Sequence, residues 1–245
     1  MSEKESPPAS MKNLEGIIDK IDHQISEKET VREEALKLSR DIIIGCRRAI
    51  QQLHRNQREE AENYIHEASA NLVRLNDLTK PHPDIVHAGF VENAAQEFVE
   101  VQCLYYIMKG EDLPDPDAIQ ATYSAYLLGL CDVVGELRRG ALDFILEGKA
   151  EKANEYLQHM DRIYDAIMRF DYPSALVPIK KKQDMVRALI EKTRGDLVVS
   201  SCEQRIHEKT HEFYGLLDRA NGEARSSKKK TTSGEEKDLD VDKVW

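Results

Sequence analysis

The chain has 245 residues, enough for one large domain or two small ones with a substantial core. Charged residues make up 33% and aromatic residues only 6%, a balance that favours long helices over a sheet. A formal net charge of −10 repels phosphates, so any nucleic-acid site has to be a local basic surface on an otherwise acidic protein.

The opening MSEKESPPAS is polar and acidic, and residues 1–10 read as a disordered segment rather than a signal peptide. No run approaches the ~18 apolar residues a membrane span needs, so no membrane partner is expected. From Met11 the spacing Leu14, Ile17, Ile18, Ile21, Ile25 predicts a first helix. The polar stretch Ser26–Thr30 interrupts it, and Val31, Leu36, Leu38, Ile42, Cys46, Ile50 and Leu53 predict a second. A third covers about 58–79 and is stopped by Pro81-His82-Pro83.

The fourth helix is predicted over about 84–108, terminated by Gly110. Asp115 followed by Pro116 resembles an N-cap with proline in the first turn, which places the fifth over about 116–147, up to Gly148. A sixth spans about 149–169, closed by Asp171-Tyr172-Pro173, and the last about 179–220 with a bend near Gly195. Beyond it, residues 222–245 hold six basic and six acidic residues and few apolar ones, the composition of a flexible tail. The prediction is an all-α protein, a single bundle of about seven long helices over residues 11–221. Helices this long expose apolar stripes that other subunits can cover, so oligomerisation is expected. The four cysteines, 46, 103, 131 and 202, are widely spaced with no C-x-x-C, as for reduced thiols in a cytoplasmic protein.

Three stretches have residue types that carry chemistry. Glu97 and Glu100 project from one face of the fourth helix, together with Gly89, Asn93 and Gln96. On the fifth, Ala125, Gly129, Asp132, Glu136 and Arg139 share a face, with small residues that let another helix approach closely. If the two faces meet, four carboxylates converge and repel one another unless a cation neutralises them. Hard oxygen ligands suit Mg²⁺, or Mn²⁺, and such an ion supports phosphodiester hydrolysis. Against this, 45 acidic residues supply roughly eight acidic pairs at any one helical spacing by chance, most of them on solvated faces. Asp132 stands out from that background, because a carboxylate inside LLGLCDVVG is expensive to bury unpaired.

The second stretch is basic. Arg48, Gln51, Arg55 and Arg58 are read as sharing a face able to track a phosphate backbone, with Arg138, Arg139, Arg187 and Arg194 extending it. Salt bridging to Glu59, Glu60 and Glu62 is the plainer reading. The third, His207-Glu208-Lys209-Thr210-His211, matches H-E-x-x-H but lacks an evident third zinc ligand and falls on the wet side of an amphipathic helix.

Four segments in order, DIIIGCRRAIQQLHR, QEFVE, LLGLCDVVGELRR and KKKQDMVRALIEKTRGDL, resemble the translin family over residues 11 to 218. The resemblance implies an all-α fold, closed hollow oligomers (octamer-like shells) and RNA or single-stranded DNA handled on an inward surface. The chain is most similar to the catalytic, factor X-like branch, because it carries Glu97, Glu100 and Asp132, with Glu136 one turn later. That implies a Mg²⁺-dependent endoribonuclease acting on single-stranded or partly paired RNA. Glu97, Glu100 and Asp132 would be catalytic, the same three with Glu136 would hold the metal, and Arg47, Arg48, His54 and Arg55 would bind nucleic acid. One chain supplying both sets points to a homo-oligomer. The alternatives are a non-catalytic RNA- or DNA-binding oligomer and, third, a structural hub.

Overall fold

The computed structural model describes residues 13–232, seven helices with no strand among them. The chain divides into two compact units, the break falling inside the last helix between Thr193 and Arg194. Segment 1–10 and the predicted tail beyond Thr232 lie outside the described residues.

The first departure from expectation is at the N-terminus, where α1 runs unbroken over Leu14–His54. The polar stretch does not break it, because Ser26–Thr30 contains neither glycine nor proline and the Thr30 hydroxyl donates back to the Ser26 carbonyl at 3.1 Å. The helix ends at a tight reversal in which Asn56 takes φ 60°, a conformation asparagine tolerates better than most residues. From there α2 runs back over Arg58–Thr79. Pro83 starts a single turn, α3 (Pro83–Val86), so the predicted fourth helix is split and α4 proper begins later, at Gly89–Lys109.

Gly110 ends α4 at φ 73°, with the Glu111 amide donating to the Tyr106 carbonyl at 3.0 Å, as the sequence predicts. The following segment departs from prediction. Asp115-Pro116 makes only a turn, closed by the Asp115 carboxylate accepting from the Asp117 amide at 2.9 Å. Gln120 then adopts φ 55°, and α5 (Tyr123–Leu146) begins after it, capped by the Thr122 hydroxyl accepting from the Ala125 amide at 3.1 Å. After Gly148, α6 covers Ala150–Ile167 and α7 covers Lys180–Thr232, without the predicted end near 220.

In the first unit α1 packs on α2 and α4, α4 on α5, and α5 on α6. The core is centred on α4, where Phe98, Val99, Val101 and Leu104 are all essentially inaccessible. Ile42 and Leu53 of α1 and Leu137 of α5 are equally buried. The start of α7 belongs here too. Ile179 and Val186 are buried, and the Gln183 amide donates to the Ile167 and Phe170 carbonyls that end α6. Four helices (α1, α4, α5 and α7) therefore bring side chains to one side of the α4–α5 contact.

Candidate functional site: a carboxylate cluster at the α4–α5 crossing

The crossing is set by Gly129. A Cβ there would lie 2.6 Å from the Gln96 carbonyl oxygen and 2.8 Å from Val99 Cβ, so only glycine lets the helices come this close. Asp132 follows one turn along α5, and Gln96 Nε2 donates to its Oδ2 at 2.5 Å. The Lys182 ammonium of α7 donates to Oδ1, so both oxygens of Asp132 are engaged. This resolves the puzzle of a carboxylate in an apolar run: its partners come from outside that run.

Glu136 lies a turn further, its Oε2 2.6 Å from His54 Nε2 and 3.6 Å from an Arg139 nitrogen. The His54 contact, followed by the positive charge of Arg139, holds the Glu136 carboxyl below its ordinary range against the opposing effect of burial. Glu97 is 3.6 Å from an Arg47 nitrogen. Glu100 is different: no ion pair reaches it among the described residues. Burial, reinforced by the charges of Asp132, Glu97 and Glu136, pushes its carboxyl up to about 8, and only Lys182 acts the other way. Cys46 of α1 borders the same spot. Burial first, then the Glu97 and Glu100 charges, push its thiol up, so it is an inert side chain rather than a nucleophile.

Asp132, Glu97 and Glu136 thus each sit within electrostatic reach of Glu100, but no three His, Cys, Asp or Glu side chains among the described residues are gathered closely enough to hold a metal ion. The basic set is divided. Arg47, Arg48 and Arg55 are exposed, with Arg48 lying 5.9 Å over the Tyr64 ring. The His54 side chain is only 8% exposed and joins the acidic group through Glu136 instead of the outer arginines. Arg58 lies beyond the Asn56 reversal, on α2, so the expected common face with Arg48, Gln51 and Arg55 does not exist. Arg138 donates to the Thr193 hydroxyl at 2.7 Å, and Arg187 pairs with Glu191. His207 and His211 are exposed on the second unit, and no group of three metal-holding His, Cys, Asp or Glu side chains surrounds them among the described residues.

Lys182 and the role of His54 were not singled out from sequence. A signal for Lys182 existed: a carboxylate inside an apolar run calls for a cation, and a KKK run opens the last helix. For His54 there was none, because the pairing with Glu136 spans 82 residues.

Among the described residues no helix is long and apolar enough to cross a membrane. The sequence matches the translin family profile over residues 30–194. It is 35% identical over 176 residues to an uncharacterised protein, MJ0175, of Methanocaldococcus jannaschii, covering 71% of this chain and 78% of that one. Its fold is similar to the crystal structure of AfC3PO, with a TM-score of 0.70 and 31% identity, covering 76% of this chain and 97% of that one. The structure of AfC3PO in complex with duplex RNA matches over the same shares at 31% identity and a TM-score of 0.65. Apo-NeC3PO shares the fold at 20% identity and a TM-score of 0.69, covering 75% and 96% of the two chains. The profile match over residues 30–194, more than half of the chain, makes this chain a member of the translin family.

Proposed function

We propose that the protein binds RNA and cleaves it with the help of a divalent cation, as a factor X-like, catalytic member of its family working in a closed assembly of identical chains. The observation that carries this reading is Glu100. A carboxyl largely withdrawn from water and facing three further carboxylates without a cation of its own is unfavourable for folding, and it is the arrangement a hard cation relieves. Binding to RNA is supported by family membership and by the relative solved with duplex RNA.

The donor set fits Mg²⁺ or Mn²⁺ in chemistry, being all carboxylate oxygen. In the described arrangement no three such side chains are already gathered to hold an ion, and Lys182 and Gln96 engage Asp132. Glu97, Glu100 and Asp132 would hold it, with Glu136 assisting. A bound divalent ion supplies Lewis acidity toward a phosphodiester oxygen and lowers the pKa of a coordinated water. Glu100 has to release its proton on loading, so metal affinity should climb with pH up to about 8. One of the glutamates would accept a proton from an attacking water. Hydrolysis then forms one P–O bond to water and breaks one to a ribose oxygen. Arg47 and Arg48 of α1, with Arg55 at its C-terminal cap, are exposed and would position the phosphates.

A second reading has its own support. Lys182 and His54 already compensate two of the four carboxylates, as a purely structural cluster in an RNA- or single-stranded-DNA-binding assembly would. End-labelled single-stranded and duplex RNA, and single-stranded DNA, incubated with Mg²⁺ or EDTA separate the two. Metal-dependent RNA cuts abolished by Glu100→Gln and Asp132→Asn are expected. Binding without cutting overturns the nuclease in favour of the second reading.

A further inference from the structure

The second unit has a feature the carboxylate cluster does not use. Along α7 past Thr193, Val199, Ile206, Phe213 and Leu216 are between 58% and 66% exposed, and Cys202 is the exposed member of the four cysteines. A groove on this face is lined by Cys202, Arg205, Ile206, Lys209, Phe213 and Tyr214. The positions 199, 202, 206, 209, 213 and 216 alternate in steps of three and four, the a/d repeat of a coiled-coil seam. The opposite side carries Ser201, Gln204, His207 and His211, all exposed, and Glu208 borders the groove, which accounts for the H-E-x-x-H pattern as the wet flank of a seam. The segment lies outside the region matched to the family, residues 30–194.

We propose that this seam is a homotypic docking surface, which pairs residues 199–216 with the same segment of a second copy, antiparallel. The segment is complementary to itself in that direction only. Run antiparallel about its midpoint, Val199 meets Leu216, small Cys202 meets large Phe213, and Ile206 meets the aliphatic stem of Lys209. Glu212 pairs with Lys209 of its own chain at 2.8 Å, and Arg205 of the second copy flanks it as a second cation on both sides of the symmetric pair. Run parallel, Lys209 confronts Lys209, and the flanking positions set Arg205 against Thr210 and Glu212 against Leu217, leaving no ion pair. The seam is about 27 Å long at 1.5 Å per residue, and this pairing separates the two Cys202 residues by roughly 16 Å along the axis.

The test is disulfide trapping of the full-length protein with diamide as oxidant, read on non-reducing gels. The variant Phe213→Cys is expected to form a covalent dimer through Cys202, and the wild type is expected to remain monomeric on the gel. Adding Ile206→Glu to Phe213→Cys should reduce the trapped dimer at least tenfold. A Cys202–Cys202 bridge in the wild type would establish the parallel arrangement and overturn the proposal. Equal trapping with and without Ile206→Glu, or none in Phe213→Cys, also overturns it. A bridge from Cys202 to a cysteine in an Ile21→Cys variant would give the seam to the exposed stripe of α1 (Leu14, Ile18, Ile21 and Ile25) and overturn homotypic pairing as well.

Discussion

Replacing Glu100 by glutamine keeps the side chain's size and removes its charge, and the consequence can be worked through. Glu100 ordinarily titrates at 4.5, and in the fold it is pushed up to about 8. Between those values the folded protein holds a proton that the unfolded chain has lost, so stability falls as pH rises through this window and levels off above it. At 1.36 kcal/mol for each tenfold change, the ceiling on that loss is on the order of 5 kcal/mol. Equilibrium urea denaturation in EDTA, at one protein concentration, between pH 5 and 8.5 measures it. The wild type is expected to lose at least about 2 kcal/mol more across the range than Glu100→Gln. Added Mg²⁺ at pH 8.5 is expected to restore the wild type and leave the variant unchanged. Parallel pH profiles for the two proteins would refute the reasoning, because Glu100 would then be neither withdrawn from water nor confronted by the other carboxylates.

Three further outcomes follow from the same geometry. Gly129→Ala places a methyl against the Gln96 carbonyl and Val99, and should destabilise by about 1–3 kcal/mol in urea while weakening Mg²⁺ binding by calorimetry. His54→Ala strips Glu136 of its shortest partner and should cost about 1–3 kcal/mol. Glu136 is held below its ordinary range, so its contribution is present above 4.5 and lost as pH falls through the lowered folded value; in His54→Ala this acid-side loss should flatten, as thermal melts between pH 3 and 6 will show. Lys182→Met removes the cation that acts against the rise at Glu100, so the variant should melt lower in EDTA and gain more from Mg²⁺ than the wild type does. An equal Mg²⁺ gain in both proteins would show that Lys182 and the ion do not compete.

The helical class, the termination at Gly110 and Gly148, and the pairing of Glu97 with Glu100 on one face were all determined locally. They depend on a period of 3.6, on a left-handed glycine and on neighbours within four residues, and the chain alone contains that information. The fused α1 and the late start of α5 were less legible. A polar stretch without glycine or proline lets the helix run on through it, and an Asp-Pro pair starts a turn as readily as a helix. What only the tertiary structure decided was which charges meet. His54 to Glu136 spans 82 residues and Lys182 to Asp132 spans 50, separations over which no periodicity carries a signal. The sequence could name the carboxylates, but the partners assigned to them depend on how close Gly129 lets two helices come, and that is a property of the packed core.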